Sequence, residues 1–325
     1  MAGQSRKPKR RGTKAPQSKL SGKLSLPLII ILLFLAVGLV LSAYYEYSDK
    51  PFLEESETVE IAEDELTVYF LDVEQGDSEI ITIGGMAMLI DAGEAEYGET
   101  VVSYLHNLGI TKLDYIIATH PHSDHIGGLS TVIENFDVDK ILMPVMPEEM
   151  TPTTKVFEKL LDTIDDKGLK ITAVGSGDSF KLGKAEFTVV SPEKNADFSD
   201  LNDYSTVIRL VYKNSRWLFT GDAEKPAEEI MLESGENLQA DILKVAHHGS
   251  ENSSTEKFLA AVRPRWAVIE VGAGNSYNHP TEETLTRLEE HAERIFRTDI
   301  DGTIILRTDG NAIVRVNNIS TERQE

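Results

Sequence analysis

Three histidines and an aspartate fall within six residues in Thr119-His120-Pro121-His122-Ser123-Asp124-His125-Ile126-Gly127-Gly128, in a chain that has only eight histidines in all. Neutral imidazole nitrogens and carboxylate oxygens are ligands that zinc and similar divalent ions accept. His120 and His122 are two apart, so on an extended backbone both rings project to the same side. Asp124 and His125 follow where the chain turns and face a second ion, and Gly127-Gly128 lets the backbone pass close beneath as a helix begins. A polar loop with chance histidines does not reach this density of ligand types. The chain contains no cysteine, so thiolate is excluded and any metal must be held by His and carboxylate.

Other residues of the same chemical types are scattered along the chain. Asp91 ends the apolar run Leu89-Ile90, Asp222 closes Phe219-Thr220-Gly221-Asp222, His247-His248 follows Lys244-Val245-Ala246, and His279 precedes Pro280. Each has an ordinary alternative: a strand-end carboxylate, a turn aspartate, a solvated loop histidine. Asp72, Gln75 and Asp77 either shape a loop or face a substrate. Lys244, inside an apolar run, reads as structural. Adjacent residues project differently, so His247 and His248 do not share one coordination position. His106 and His291 lie in amphipathic helical stretches and read as noncatalytic.

These residues must be positioned by a scaffold, and the periodicity supplies one. Leu66 onwards is a β-rich run, followed by short strands at Ser78 to Ile83 and Met86 to Ile90 around Gly84-Gly85. Thr100 to Asn107 reads as a helix ended by Gly109, and Leu113 to Ala118 as a strand leading into the histidines. An amphipathic helix is expected over Thr153 to Asp166, then strands at Ile171 to Val174, Ser179 to Leu182 and Ala185 to Val190. A hairpin around Asn214 joins Ser205–Tyr212 to Trp217–Phe219. Beyond it, helices after Lys225, at Thr255 to Val262 and at Glu282 to His291 alternate with strands at Ile242 to Val245 and Trp266 to Val271. Strands near Ile304 and Val314 complete a layered α/β domain.

The charge is divided along the chain. Of 32 Lys and Arg, eight lie in the first 45 residues (Arg6, Lys7, Lys9, Arg10, Arg11, Lys14, Lys19, Lys23) with no acidic residue among them, leaving 24 cationic against 54 anionic side chains beyond Tyr45. Between the two regions Leu24 to Tyr45 is uncharged and apolar. Roughly 20 residues at 1.5 Å per residue span a hydrocarbon core, and Tyr44, Tyr45 and Tyr47 suit an interfacial belt. Leu41-Ser42-Ala43 resembles a signal-cleavage site, but the apolar stretch exceeds the roughly 7–15 residues of a signal core. The expected order is a basic cytoplasmic tail (1–23), a single-pass transmembrane anchor (24–45), a linker (46–64), an extracytoplasmic α/β domain (65–318) and a tail (319–325). The acidic domain argues against indiscriminate gripping of DNA by its surface.

The H-x-H-x-D-H run resembles the metallo-β-lactamase superfamily, which implies a four-layer αββα sandwich with two divalent metals at one edge, zinc with manganese as the alternative. By this resemblance His120, His122, Asp124, His125, Asp222 and one of His247 and His248, read here as His248, are metal ligands, with Asp222 bridging. Asp124 also orients the attacking water, His247 binds substrate or donates a proton, Asp91 supports the metal loop, and His279 joins the pocket. Phe70-Leu71-Asp72-Val73-Glu74-Gln75-Gly76-Asp77, His247-His248-Gly249-Ser250, Ser253-Ser254 and Asn278-His279-Pro280 are similar to the hydrolase domain of ComEC-like competence proteins, over about Leu66 to Val316. Two departures stand out: Glu74 replaces a usual glycine, and a single apparent span replaces a channel domain.

The superfamily also supplies a third histidine to the first metal, from a loop that here reads Asp200-Leu201-Asn202-Asp203-Tyr204-Ser205 and contains none. Asn202 or Asp203 fills that position, or it stays open to water or substrate, with one metal bound more weakly. The resemblance implies a phosphodiesterase or nuclease acting on DNA or another phosphodiester. The alternatives are hydrolysis of a small or cell-wall ester, β-lactam or thioester, and a noncatalytic role in DNA uptake.

Overall fold

The computed structural model describes residues 54–55 and 65–316. The first half of the domain contains β1 (Glu54–Glu55), β2 (Leu66–Phe70), β3 (Glu79–Ile83), β4 (Met86–Ile90), α1 (Gly98–Asn107), β5 (Lys112–Leu113), β6 (Tyr115–Ile117), α2 (Ser123–Ile126), α3 (Leu129–Asn135), β7 (Asp137–Val138), β8 (Ile141–Pro144), α4 (Lys155–Asp166) and β9 (Ile171–Val174). The second contains β10 (Ser179–Leu182), β11 (Ala185–Ser191), β12 (Val207–Tyr212), β13 (Ser215–Phe219), α5 (Lys225–Ser234), β14 (Ile242–Lys244), α6 (Glu256–Val262), β15 (Trp266–Ile269), α7 (Glu282–His291), β16 (Arg294–Arg297) and α8 (Thr298–Asp301). The chain then returns through β17 (Ile304–Thr308) and β18 (Ile313–Val316) to the first sheet, whose order is β1-β18-β17-β2-β3-β4-β6-β8-β9. The second sheet runs β10 to β16 in sequence order.

Helices cover the outer faces of both sheets, so central strands such as β4, β6 and β15 are apolar and buried on both faces, whereas the outer strands β9, β10 and β16 expose side chains. In β2, Leu66, Val68 and Phe70 enter the core between the sheets, where Phe187, Leu210, Trp217 and Phe219 meet them. Tyr69 faces the other way, into a layer that includes Val101 and Leu105 of α1, Leu129 and Ile133 of α3, and Leu160 and Ile164 of α4. On the far side, Leu218, Leu243 and Ala267 pack with Met231, Phe258, Leu259 and Leu288 from α5, α6 and α7. The layers are therefore αββα. Caps set the helix starts: Thr154 accepts from Phe157 N, Thr255 from Phe258 N and Thr281 from Thr284 N.

Apart from the short edge strand β1, which runs parallel to β18, each sheet changes from antiparallel to parallel partway across: β4, β6, β8 and β9 are parallel in one, β13, β14, β15 and β16 in the other. The loops leaving the carboxyl ends of β4, β6, β13, β14 and β15 meet at one edge of the sandwich, and they carry the sequence-predicted site.

Some elements differ from expectation. The strand expected at Leu113 to Ala118 is divided at Asp114, whose carboxylate accepts from Ala87 N at 3.0 Å. Before it, β5 pairs with β7 in a separate two-stranded ribbon; after it, β6 joins the large sheet. Strands β8 and β16 were not anticipated. Ile-Leu-Met-Pro is too short to show a period, and Arg-Ile-Phe-Arg is an edge strand flanked by charge. The apolar stretch 24–45, the linker to residue 64 and the tail beyond residue 316 lie outside the described residues, apart from β1. Among the described residues no helix is long and apolar enough to cross a membrane.

Candidate metal centre

The site is built on Asp91, the first residue beyond β4. Its φ of 51° is left-handed, a conformation few non-glycine residues adopt. There its carboxylate accepts from Thr119 N at 2.8 Å, Thr119 Oγ1 at 2.5 Å and His125 Nδ1 at 2.8 Å. Burial raises the Asp91 carboxyl above its ordinary range, against the pull of His125 and Thr119. Because Nδ1 of His125 carries the shared hydrogen, its Nε2 is the nitrogen turned toward the other ligands. The loop after β6 is fixed across the sandwich by Thr206 N donating to Thr119 O at 2.9 Å, and by Ser205 Oγ, 3.3 Å from His120 Nδ1. The two glycines act as expected. A Cβ on Gly127 would lie 2.3 Å from Ala95 N, and one on Gly128 2.3 Å from Ala92 O.

Asp222, just past β13, is the point of convergence. Its Oδ2 lies 3.3 Å from His125 Nε2, 3.7 Å from His247 Nε2, and 3.8 Å from both His120 Nε2 and His248 Nε2. His122 Nδ1 is 3.0 Å from His120 Nε2. Asp124 Oδ2 is 3.3 Å from His248 Nε2. Ligand atoms from Asp124, His125, Asp222 and His248 all lie within 4.8 Å of one another. Three buried atoms at the centre (His125 Nε2, His248 Nε2 and Asp222 Oδ1) have no hydrogen-bond partner. Buried polar atoms are rarely left so, and a divalent ion satisfies all three. The donor set therefore fits metal.

His247 and His248 separate as their sequence adjacency requires. Both have left-handed φ, 49° and 52°, and Gly249 continues at 84°. A Cβ at Gly249 would come within 2.5 Å of Pro280, so glycine is needed there for space as well as conformation. His248 is buried and donates from Nδ1 to the Glu270 carbonyl oxygen at 2.8 Å. His247 is partly exposed, with Nδ1 held 2.8 Å from Glu224 Oε1. Burial disfavours both imidazolium forms, but Asp222 outweighs it, with Asp77 at His248 and Glu224 at His247. His248 is raised to about 10 and His247 is raised as well.

Behind the histidines lies a layer of buried charge. Asp77 is not at the cavity; its carboxylate is fully buried, ion-paired with Lys244 and 3.3 Å from His248 Nδ1. Burial opposes its ionisation, yet Lys244 and the histidines hold it below the usual carboxylate range. Glu79 and Glu270 border the same pair. Burial and Asp77 push Glu270 up to about 8, and burial with Glu270 and Asp77 pushes Glu79 well above its ordinary value. Neither glutamate was singled out from sequence. The available signal was a charged residue inside an apolar run (Glu270 in Trp266 to Val271, Glu79 in Glu79 to Ile83), since buried carboxylates are rarely left unpaired. Glu224 and Ser205 gave no such signal.

In front of the histidines is a cavity of about 640 Å³ lined by, among others, Gln75, His122, Asp124, Asn202, Asp222, His247, His248 and His279. Gln75 is braced by Gly272 N, 3.2 Å from its Oε1. Asn202 presents a buried Oδ1 with no hydrogen-bond partner. Asp203 does not reach the cavity lining: its Oδ1 accepts from Glu224 N at 3.2 Å and Ala227 N at 3.3 Å, at the start of α5. Burial, His247 and His248 lower His279 to about 4, so its ring is neutral at pH 7. His106 lies tilted against Phe136 and His291 pairs with Glu256, both away from the site.

The αββα layers and the H-x-H-x-D-H centre define the class of protein. Residues 71–269 match the metallo-beta-lactamase superfamily, and the chain belongs to that superfamily. Among individual proteins it is similar to ComE operon protein 3 of Bacillus subtilis, 33% identical over 74% of this chain and 33% of that protein. It is also similar to competence protein ComA of Neisseria gonorrhoeae, 29% identical over 75% of this chain and 32% of that one. The chain thus spans about a third of the length of these relatives. Among solved structures, the metallo-beta-lactamase fold protein YhfI of Bacillus subtilis shares the fold with a TM-score of 0.50 at 12% identity, covering 75% of this chain and all of YhfI.

Proposed function

We propose that this chain is a membrane-anchored, extracytoplasmic, metal-dependent phosphodiesterase acting on nucleic acid or a related phosphodiester. The observation that carries the reading is the gathering of imidazole Nε2 atoms around the buried Asp222 carboxylate, with three of the central atoms unpartnered. His120, His122 and Asp222 would hold one ion, and Asp124, His125, His248 and Asp222 the other. The all-nitrogen-and-oxygen donor set suits zinc, with manganese as the alternative. Two such ions lower the pKa of water toward neutrality and offset charge on a phosphoryl oxygen.

The chain's own side chains do the rest. Asp91 and the Glu270 carbonyl fix which nitrogen His125 and His248 turn inward. Glu224 fixes the His247 ring with Nε2 toward Asp222 and the cavity. Asp222 and Glu224 raise the His247 pKa against burial, which favours the protonated ring that would donate to a nonbridging oxygen or to the leaving oxygen. The Asp124 carboxylate, kept anionic by His125 and His248 despite burial, would orient the attacking water. Asn202 offers its amide where the superfamily's third histidine is missing. The apolar stretch 24–45 between a basic tail and an acidic body supports the anchor and its orientation. The name of one relative, a competence protein, favours nucleic acid.

A second reading, hydrolysis of a small or cell-wall ester, β-lactam or thioester, is favoured by one observation. Among the described residues, no Lys or Arg lines the cavity. Metal-loaded protein tested in parallel on single-stranded DNA, bis-p-nitrophenyl phosphate, a chromogenic cephalosporin and a lactoyl thioester separates the two. Phosphodiester turnover is expected; efficient turnover of the cephalosporin or thioester with none of either phosphodiester would select the second reading.

A further inference from the structure

Tyr277 stands at the rim of the cavity with 64% of its surface exposed, the largest exposed aromatic of the described domain. Exposure here is not looseness. Asn275 ties its loop together: its Nδ2 donates to Gly272 O at 3.0 Å and His279 O at 2.6 Å, and its Oδ1 accepts from Tyr277 N and His279 N, each at 3.1 Å. The Tyr277 ring stacks on His279, with centroids 5.8 Å apart and planes at 26°. His279 in turn meets His247 edge-on at 5.4 Å. An aromatic face is thus held in the open, two rings away from the histidine beside Asp222.

The surroundings limit what that face can bind. With no Lys or Arg lining the cavity among the described residues, and a strongly acidic chain, a polyanion gains little from protein charge beyond the metal centre. Its affinity must come from contacts that do not depend on cations. Base–aromatic stacking is such a contact, and every base has a π-face to offer. We infer that Tyr277 is a stacking platform for the nucleobase next to the scissile phosphodiester, so that the substrate must present an unpaired base. Bases inside a duplex are stacked on one another and cannot offer that face.

This inference rests on the phosphodiesterase reading, and the test separates the two. Steady-state cleavage by the metal-loaded full chain is measured on a short single-stranded oligothymidylate and on an abasic oligomer of the same length. In the parent, kcat/KM is expected to favour the base-bearing oligomer by roughly 10- to 100-fold. Tyr277→Ala should bring the ratio near one, mainly through KM, and Tyr277→Phe should preserve it. A ratio unchanged in Tyr277→Ala overturns the inference. Cleavage of neither oligomer by the parent defeats the phosphodiesterase reading instead. The platform is then decided by fluorescence-anisotropy binding of both oligomers: at least 5-fold weaker binding of the base-bearing oligomer by Tyr277→Ala supports it. Equal binding by the two proteins, or none by the parent, overturns it.

Discussion

His248 donates its Nδ1 hydrogen to the carbonyl oxygen of Glu270 at 2.8 Å, which leaves Nε2 as the atom pointed at Asp222 and Asp124. His125 does the same through the Asp91 carboxylate. In both residues the outer partner selects the nitrogen that faces the metal centre.

The first prediction follows from the protons on those nitrogens. Without metal, Asp222 and the neighbouring carboxylates overcome burial and keep His248 up at about 10 and His125 well above its ordinary value. His248 is therefore charged at neutral pH, and an ion must displace its proton; the raised His125 acts in the same direction. Loading should release at least one proton per chain, and affinity should weaken as pH falls. Calorimetry in buffers of different ionisation enthalpy counts the protons; a release of none would contradict the arrangement.

The second concerns Asn202, whose buried Oδ1 lacks a partner beside His247. One metal is expected to bind more weakly than the other and to leave first on chelation. Asn202→His should tighten that ion and slow phosphodiester turnover, because a filled coordination position leaves less room for a phosphate oxygen. Stepwise chelation with metal analysis checks this. Two indistinguishable affinities, unchanged in the variant, would mean the missing ligand is replaced from elsewhere.

The third concerns the charge layer behind the site. Lys244 and Asp77 are both buried and paired. Lys244→Met leaves Asp77 uncompensated and should cost about 3–5 kcal/mol of stability in denaturant unfolding. Asp77→Asn combined with Lys244→Met should recover part of that loss, since no lone charge then remains. A single variant as stable as the parent would show that the pair is not balanced as described.

Much of the centre was legible because its decisive part is local. Four ligand-type residues in one short run announce themselves whatever the tertiary structure does. Asp222 and His248 lie about a hundred residues further on, and only the resemblance connected them to that run. Glu74 illustrates a departure whose meaning needed the backbone: its φ of 55° is the left-handed conformation that a glycine adopts without cost. What sequence did not reveal depends on packing between distant elements. Asp203 was a possible ligand by type, but the start of α5 arrives beside it and takes its carboxylate. Asp77 was a possible substrate contact, but Lys244 reaches it from the other sheet. Glu270 acts on His248 through a backbone carbonyl, which carries no side-chain signal at all.

The most direct test of the central claim is a metal titration of the chelated full chain, with bound ion and bis-p-nitrophenyl phosphate turnover recorded on the same sample. Turnover should be absent without metal, should rise as occupancy approaches two ions per chain, and should fall by orders of magnitude in Asp222→Asn, which weakens the one carboxylate that the proposed site assigns to both ions. Full turnover by the chelated protein, or an Asp222→Asn variant with the parent's metal content and rate, would contradict it.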